Sequence, residues 1–233
     1  MKRIVILLLA LLSINLGWAQ REVQKTEAIK NADQLYVHFK FADDIKIEQW
    51  NKNEIKVDAS VLIDDGDGNA DFSLQTERSG STLEISSDFG DYFEKRQKNF
   101  WGEDCCNSKT SINYVVYVPK GVKLKVKSIS GDVMSDDFSG QLVTDLVSGD
   151  VTLKQYKGEL RLKTVSGDLD ITTNKADVNA KTLTGTIYSN LNIEQEGNKK
   201  SSSGYNRVKG TVNNGGELVV LETVSGNIYM RKG

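Results

Sequence analysis

The sequence predicts an all-β fold: a β-solenoid of parallel coils of about 18 residues, two short strands per coil, preceded by irregular N-terminal strands. Three observations carry this. A short phrase recurs as Ser130-Gly131-Asp132-Val133, Ser148-Gly149-Asp150-Val151 and Ser166-Gly167-Asp168-Leu169, then worn as Thr184-Gly185-Thr186-Ile187 and, displaced, as Ser225-Gly226-Asn227-Ile228. The first four glycines stand 18 residues apart, with Gly140, Gly158 and Ala176 halfway between them. Finally, the copies align in columns: seven residues before the glycine stand Leu124, Leu142, Leu160, Val178 and Val219, and five before it Val126, Thr144, Leu162, Ala180 and Leu221. Two residues before it stand Ile129, Val147, Val165, Leu183 and Val224, and two after it Val133, Val151, Leu169, Ile187 and Ile228. Lys125, Arg161 and Asn179, between the first two columns, give the alternation of a strand with one buried face. Stacked about 4.8 Å apart, each column becomes a continuous apolar line, and Leu160 is expected to touch Leu142 below and Val178 above. One coil cannot offset the ordering of its own backbone at about 1–2 kcal/mol per residue, so its stability has to come from its neighbours.

In chain order, Lys2 and Arg3, the apolar run Ile4 to Leu12 and Gly17-Trp18-Ala19 read as a secretory signal peptide over 1–19, removed before Gln20. The remainder, 20–233, reads as one solenoid domain without a transmembrane segment. The formal net charge of −2 becomes −4 once Lys2 and Arg3 leave, too mild a balance to call for nucleic acid or an anionic membrane. Residues 20–34 are polar, a lead-in strand or a short linker. N-terminal strands then occupy 34–118, among them Tyr36–Phe39, Ile45–Glu48 and Ile55–Asp58, as wider coils or hairpins that cap the stack. An insert at 87–110 breaks the pattern with a short helix near Asp91–Lys98 and the aromatics Phe89, Tyr92, Phe93, Phe100 and Trp101. Regular repeats fill 121–193, a polar exposed loop 194–209, and the final coils 210–233.

The run Tyr117-Val118-Pro119-Lys120-Gly121-Val122-Lys123-Leu124, leading into Ser128-Ile129-Ser130-Gly131-Asp132, resembles a bacterial adhesin-type family, domain of unknown function 4097. The ending Thr223-Val224-Ser225-Gly226-Asn227-Ile228 is similar to it as well. The resemblance covers roughly Gln34 to the C-terminus. It implies an exported cell-envelope protein, periplasmic or at the cell surface or secreted, with some relatives tied to envelope stress. It supplies no catalytic residue, and fold alone does not establish function.

The acidic residues admit two readings. Asp132, Asp150 and Asp168 invite calcium, but a β-roll needs its motif in every turn, and this column decays to Thr186 and Asn227. A capped tight turn, with the glycine at positive φ, explains the phrase without a metal. Asp65, Asp67, Asn69 and Asp71 are spaced like the start of a calcium loop but lack its sixth-position glycine and its closing acid, so a flexible Asp-Gly hairpin tip fits better.

Cys105 and Cys106 are the only cysteines; a bridge between neighbours is strained, and a strained structural disulfide or unpaired thiols fit the pair better than a redox centre. His38 is the sole histidine, which leaves little for a Ser–His–Asp arrangement. Solenoids do host polysaccharide-cleaving enzymes, but a coil this slim offers no wide cleft. The expectation is therefore a non-catalytic envelope scaffold or adhesion module without a cofactor, whose partner is an envelope or surface component, protein or polysaccharide. A polysaccharide-acting solenoid enzyme and a calcium-binding β-roll are the alternatives. Tyr92, Phe93, Phe100 and Trp101 are the candidate contact residues, set against the reading that the insert's aromatics cap the stack.

Overall fold

The computed structural model describes residues 20–98, 109–195 and 206–233. The signal-peptide reading at 1–19 lies outside them. The N-terminal part supplies β1 (Arg21–Ala28), β2 (Gln34–Phe39), β3 (Asp44–Trp50) and β4 (Glu54–Leu62), then two 3-10 turns at Asp64–Gly66 and Asn69–Asp71. β5 (Ser73–Ser79) and β6 (Thr82–Asp88) form a hairpin, α1 (Tyr92–Lys98) follows, and β7 (Ser111–Pro119) leads into the repeats. These supply β8 (Val122–Ser128), β9 (Asp132–Ser135), β10 (Phe138–Ser148), β11 (Val151–Leu153), β12 (Tyr156–Lys157), β13 (Leu160–Ser166), β14 (Leu169–Thr173), β15 (Ala176–Thr184) and β16 (Ile187–Ser189). β17 (Ile193–Gln195), β18 (Asn206–Val212), β19 (Leu218–Ser225) and β20 (Ile228–Lys232) follow.

Two sheets enclose one apolar core that runs from Ile29 to Met230. The first has the order β1-β4-β7-β3-β9-β11-β14-β20-β16; the second has β17-β18-β15-β19-β13-β10-β8-β2-β6-β5, with β12 beside β10. Each coil gives one strand to each sheet, and neighbouring coils pair in parallel, Leu124 with Leu142 and Leu142 with Leu160. The alternation seen in the sequence becomes burial: Leu142, Thr144 and Leu146 of β10 face inward, with Val143 and Asp145 between them more exposed. The N-terminal strands are coils too. β2–β3 pairs in parallel with β8 and β9, and β6–β7 pairs in parallel with β2 and β3.

Stacking order departs from chain order at both ends. The coils lie as β6–β7, β2–β3, β8–β9, β10–β11, β13–β14, β19–β20, β15–β16. The C-terminal coil therefore sits between the third and fourth repeats, and Leu160 meets Val219 rather than Val178. Side-chain chemistry explains the swap. The C-terminal coil offers Val219, Leu221, Ile228 and Met230, all buried, whereas the worn fourth repeat has Ile187 only partly covered and Tyr188 half exposed. A coil with two neighbours buries more apolar surface than an end coil, so the more apolar sequence takes the inner place.

Antiparallel strands close the ends: β4 on β7 and β1 on β4, β5 on β6, and β18 on β15 with β17 on β18. Among the described residues the first strand thus starts at Arg21, and the polar segment expected as a loop at 194–209 contributes strands on both sides of the undescribed residues 196–205. Polar composition suits such a strand, which has one face on the stack and the other in water. Polar groups also cover the opposite end. Lys25 and Glu27 pair at 3.7 Å on β1, and Arg78 of β5 donates to the carbonyls of Ala28 and Ile29.

One predicted column is not in the core. Ile129, Val147, Val165, Leu183 and Val224 are 44, 52, 43, 49 and 42% exposed. The residues seven, five and three before the glycine share the inner face, so the residue two before it points outward. The buried third column is instead Ser128, Leu146, Thr164, Thr182 and Thr223.

Candidate interaction surface at the Ser-Gly-Asp corner

Each Ser-Gly-Asp phrase turns the chain from the second sheet to the first. Gly149 and Gly167 adopt φ of +136° and +152°, where a side chain is strained. A Cβ on Gly149 would stand 2.2 Å from the Gly131 carbonyl oxygen, and one on Gly167 2.1 Å from that of Gly149. Both demands, positive φ and close coil approach, select glycine. Below the corner, buried hydroxyls tie coil to coil: Thr164 donates to Gly149 O at 3.1 Å, Thr223 to Gly167 O at 3.0 Å, and Thr182 to Gly226 O at 2.8 Å. Sequence reading missed these hydroxyls, although their strand parity marks them as inward.

The aspartates form a second ladder. Asp132 accepts the Asp150 N–H at 2.9 Å, Asp150 that of Asp168 at 2.7 Å, and Asp168 that of Asn227 at 2.6 Å. Asn227 in turn accepts the Thr186 N–H at 3.0 Å. The side chain caps the next coil rather than its own turn. The ladder needs only an acceptor oxygen, which is why an amide serves at Asn227, and Thr186 stands in the end coil, with no further coil beyond it. One oxygen of each aspartate is thus engaged by an amide of the next coil.

Asp65, Asp67, Asn69 and Asp71 do not converge. Asp65 accepts the Lys109 N–H at 3.1 Å and Asn69 the Ile63 N–H at 2.8 Å, while Asp67 and Asp71 are exposed. The segment is not a flexible hairpin tip but a pair of tied 3-10 turns, because side chains from distant segments hold it. Buried Asp64 accepts the Tyr92 hydroxyl at 2.7 Å and the Thr110 hydroxyl at 3.2 Å, a role the sequence did not suggest. Among the described residues no group of three or more His, Cys, Asp and Glu side chains is placed to hold a metal ion.

The insert begins at the same corner. Phe89 is buried between Phe72 at 5.3 Å and Phe41 at 5.5 Å, and Phe93 lies 5.2 Å from Phe41. Tyr92 packs over Gly68, where a Cβ would meet its ring at 2.8 Å. Tyr92 and Phe93 are thus seated on the body of the protein at its N-terminal end. Phe100, Trp101, Cys105 and Cys106 lie outside the described residues.

His38 belongs to the outer face of the second sheet. It stacks on Tyr36 at 6.0 Å, and its Nδ1 lies 4.0 Å from Glu84. Burial together with Lys127, Lys40 and Lys125 holds the imidazole below its ordinary pKa and outweighs the single carboxylate. Burial, and after it the charge of Glu77, also raise Glu84 above its ordinary pKa. Lys125 lies 5.1 Å over the Tyr36 ring. This is a regular charged sheet face, not a cleft. Among the described residues no helix is long and apolar enough to cross a membrane.

Comparison with known proteins agrees with this architecture. The model of the family Toastrack DUF4097 matches residues 119–231. A crystal structure from Clostridium sporogenes, titled a "putative cell adhesion protein", is 14% identical with a TM-score of 0.63, over 92% of this chain and 100% of that one. Structures titled "putative adhesin" from Bacteroides fragilis and Parabacteroides distasonis are each 12% identical over 92% of this chain and 98% of theirs, with TM-scores of 0.33 and 0.29. No curated protein matches the sequence. At these identities the likeness to the Clostridium structure concerns the fold.

Proposed function

We propose, for a chain whose residues 119–231 belong to the Toastrack DUF4097 family, that it acts as a non-catalytic, exported adhesion or scaffold module of the cell envelope. The carrying observation is how the repeat spends its polar residues. Asp132, Asp150, Asp168 and Asn227 bond the next coil's amide, and Thr164, Thr182 and Thr223 bond corner carbonyls. This chemistry stiffens a rod, and the rod's long sides are left to meet a partner, a protein or polysaccharide of the envelope or surface. The adhesion title of the Clostridium structure supports the reading by fold.

The test is fractionation of producing cells, followed by capture from envelope extract on the purified mature chain. Recovery in an exported fraction, with a specifically retained protein or glycan, is expected. Recovery only in the cytoplasm, or turnover of an envelope polysaccharide by the pure chain, overturns it.

A further inference from the structure

We propose that two copies of this chain associate through the outward row Ile129, Val147, Val165, Val224 and Leu183, in register, about a two-fold axis parallel to the row. These side chains lie in that order just past the end of β8 and on β10, β13, β19 and β15. They are five of the eight large apolar side chains that stand exposed among the described residues, so the exposure is concentrated rather than scattered. Strand propensity does not require them, since threonine serves a strand as well and leaves less apolar surface.

Spacing selects the occupant. The row repeats every ~4.8 Å, as coils do. Same-face side chains of a strand laid along it recur about every 6.6 Å, and helix turns every 5.4 Å, so either drifts out of step within five coils. A second stack of identical coils stays in step throughout.

Charge selects the axis. Lys127 and Lys163 stand two residues before the row positions of their coils, on the same outer face, and Asp132 and Asp168 stand three residues after, just past the corner where the first sheet begins. Rotation about an axis along the row lays the aspartate side of one copy over the lysine side of the other. An axis across the row lays aspartate on aspartate instead. In the chosen arrangement Glu222 faces Asn227, the coil in which the acid column carries an amide, and Asp145 against Asp150 is the one like-charged pair. The row is roughly 19 Å long, which puts the contact in the small, reversible class of interfaces. The proposal goes beyond the function proposed above and stands without it.

Sedimentation of the mature chain from about 5 to about 300 μM, which brackets such an interface, is expected to show a reversible rise to twice the monomer mass. The paired substitution Val147→Lys and Val165→Lys puts like charges on the axis and is expected to keep the chain monomeric with an unchanged melt, both sites being exposed. In a Cys105→Ser, Cys106→Ser background, Val165→Cys is expected to form a self-disulfide on mild oxidation, whereas Thr152→Cys on the other sheet is not. A monomer throughout the range overturns the proposal. So does a dimer that survives the lysine pair, or one that cross-links through residue 152 as readily as through 165.

Discussion

At the scale of single residues, the corner is decided by backbone proximity and one acceptor oxygen. Gly149→Ala adds a Cβ both at positive φ and within 2.2 Å of a carbonyl oxygen, and urea melts are expected to show a loss well above ~1 kcal/mol. Asp150→Asn keeps the acceptor, as Asn227 does naturally, and is expected to be nearly silent, while Asp150→Ala costs about 0.5–1.5 kcal/mol. His38 responds to pH in the opposite direction from a salt-bridged histidine. Its folded-state pKa is depressed, so the unfolded chain takes up the proton first. Its contribution is complete above about pH 6.5 and falls as pH drops through that value. Melting at about pH 7.5 and pH 5.5, above the carboxylate range where the raised Glu84 works in the other sense, is expected to show a decline that His38→Gln flattens.

Among elements, β19 departs furthest from sequence expectation. Leu221 comes after the worn fourth repeat in the sequence, yet it is fully buried in a strand paired on both sides. Leu221→Ala is expected to cost ~2–5 kcal/mol, as much as Leu160→Ala, whereas Ile187→Ala in the end coil costs clearly less. If thermal melts leave Leu221→Ala unmoved, β19 is not inserted. The columns could not reveal this placement. Val219 matches Leu160 on one side and Val178 on the other equally well, so a column records which residues are equivalent and not which coils touch. The outward row differs from expectation for another reason: apolar character alone suggests an inward residue, whereas parity with Leu142 and Thr144 makes it outward. The aspartate column, by contrast, was legible as structural because its decay to Asn227 and Thr186 fits an acceptor ladder and not a ligand ladder. The insert was legible as a short helix near Asp91–Lys98, which α1 fulfils, but aromatic spacing does not say which ring meets Phe41 or which hydroxyl meets Asp64.

At the scale of the whole molecule, the two places where stacking order and chain order part divide the rod into a fixed frame and a variable middle. Only β8–β9, β10–β11 and β13–β14 follow one another in space as they do along the chain. At either end a coil is clasped by one that lies elsewhere in sequence, so an extra repeat there would displace a partner that the chain has to step over. Gene duplication can therefore lengthen this protein at one site only, between Val122 and Thr173. Tandem duplication of residues 142–159 is expected to give a folded rod longer by about 4.8 Å with an undiminished melt, while the same insertion after Thr184 unfolds the C-terminal half. The β19–β20 coil also has to enter a slot whose far wall, β15–β16, was made before it. Strands made later than β15–β16 are thus the ones that lock the end of the rod, and a chain cut short before Leu218 is left with an unfilled gap rather than a shorter tail.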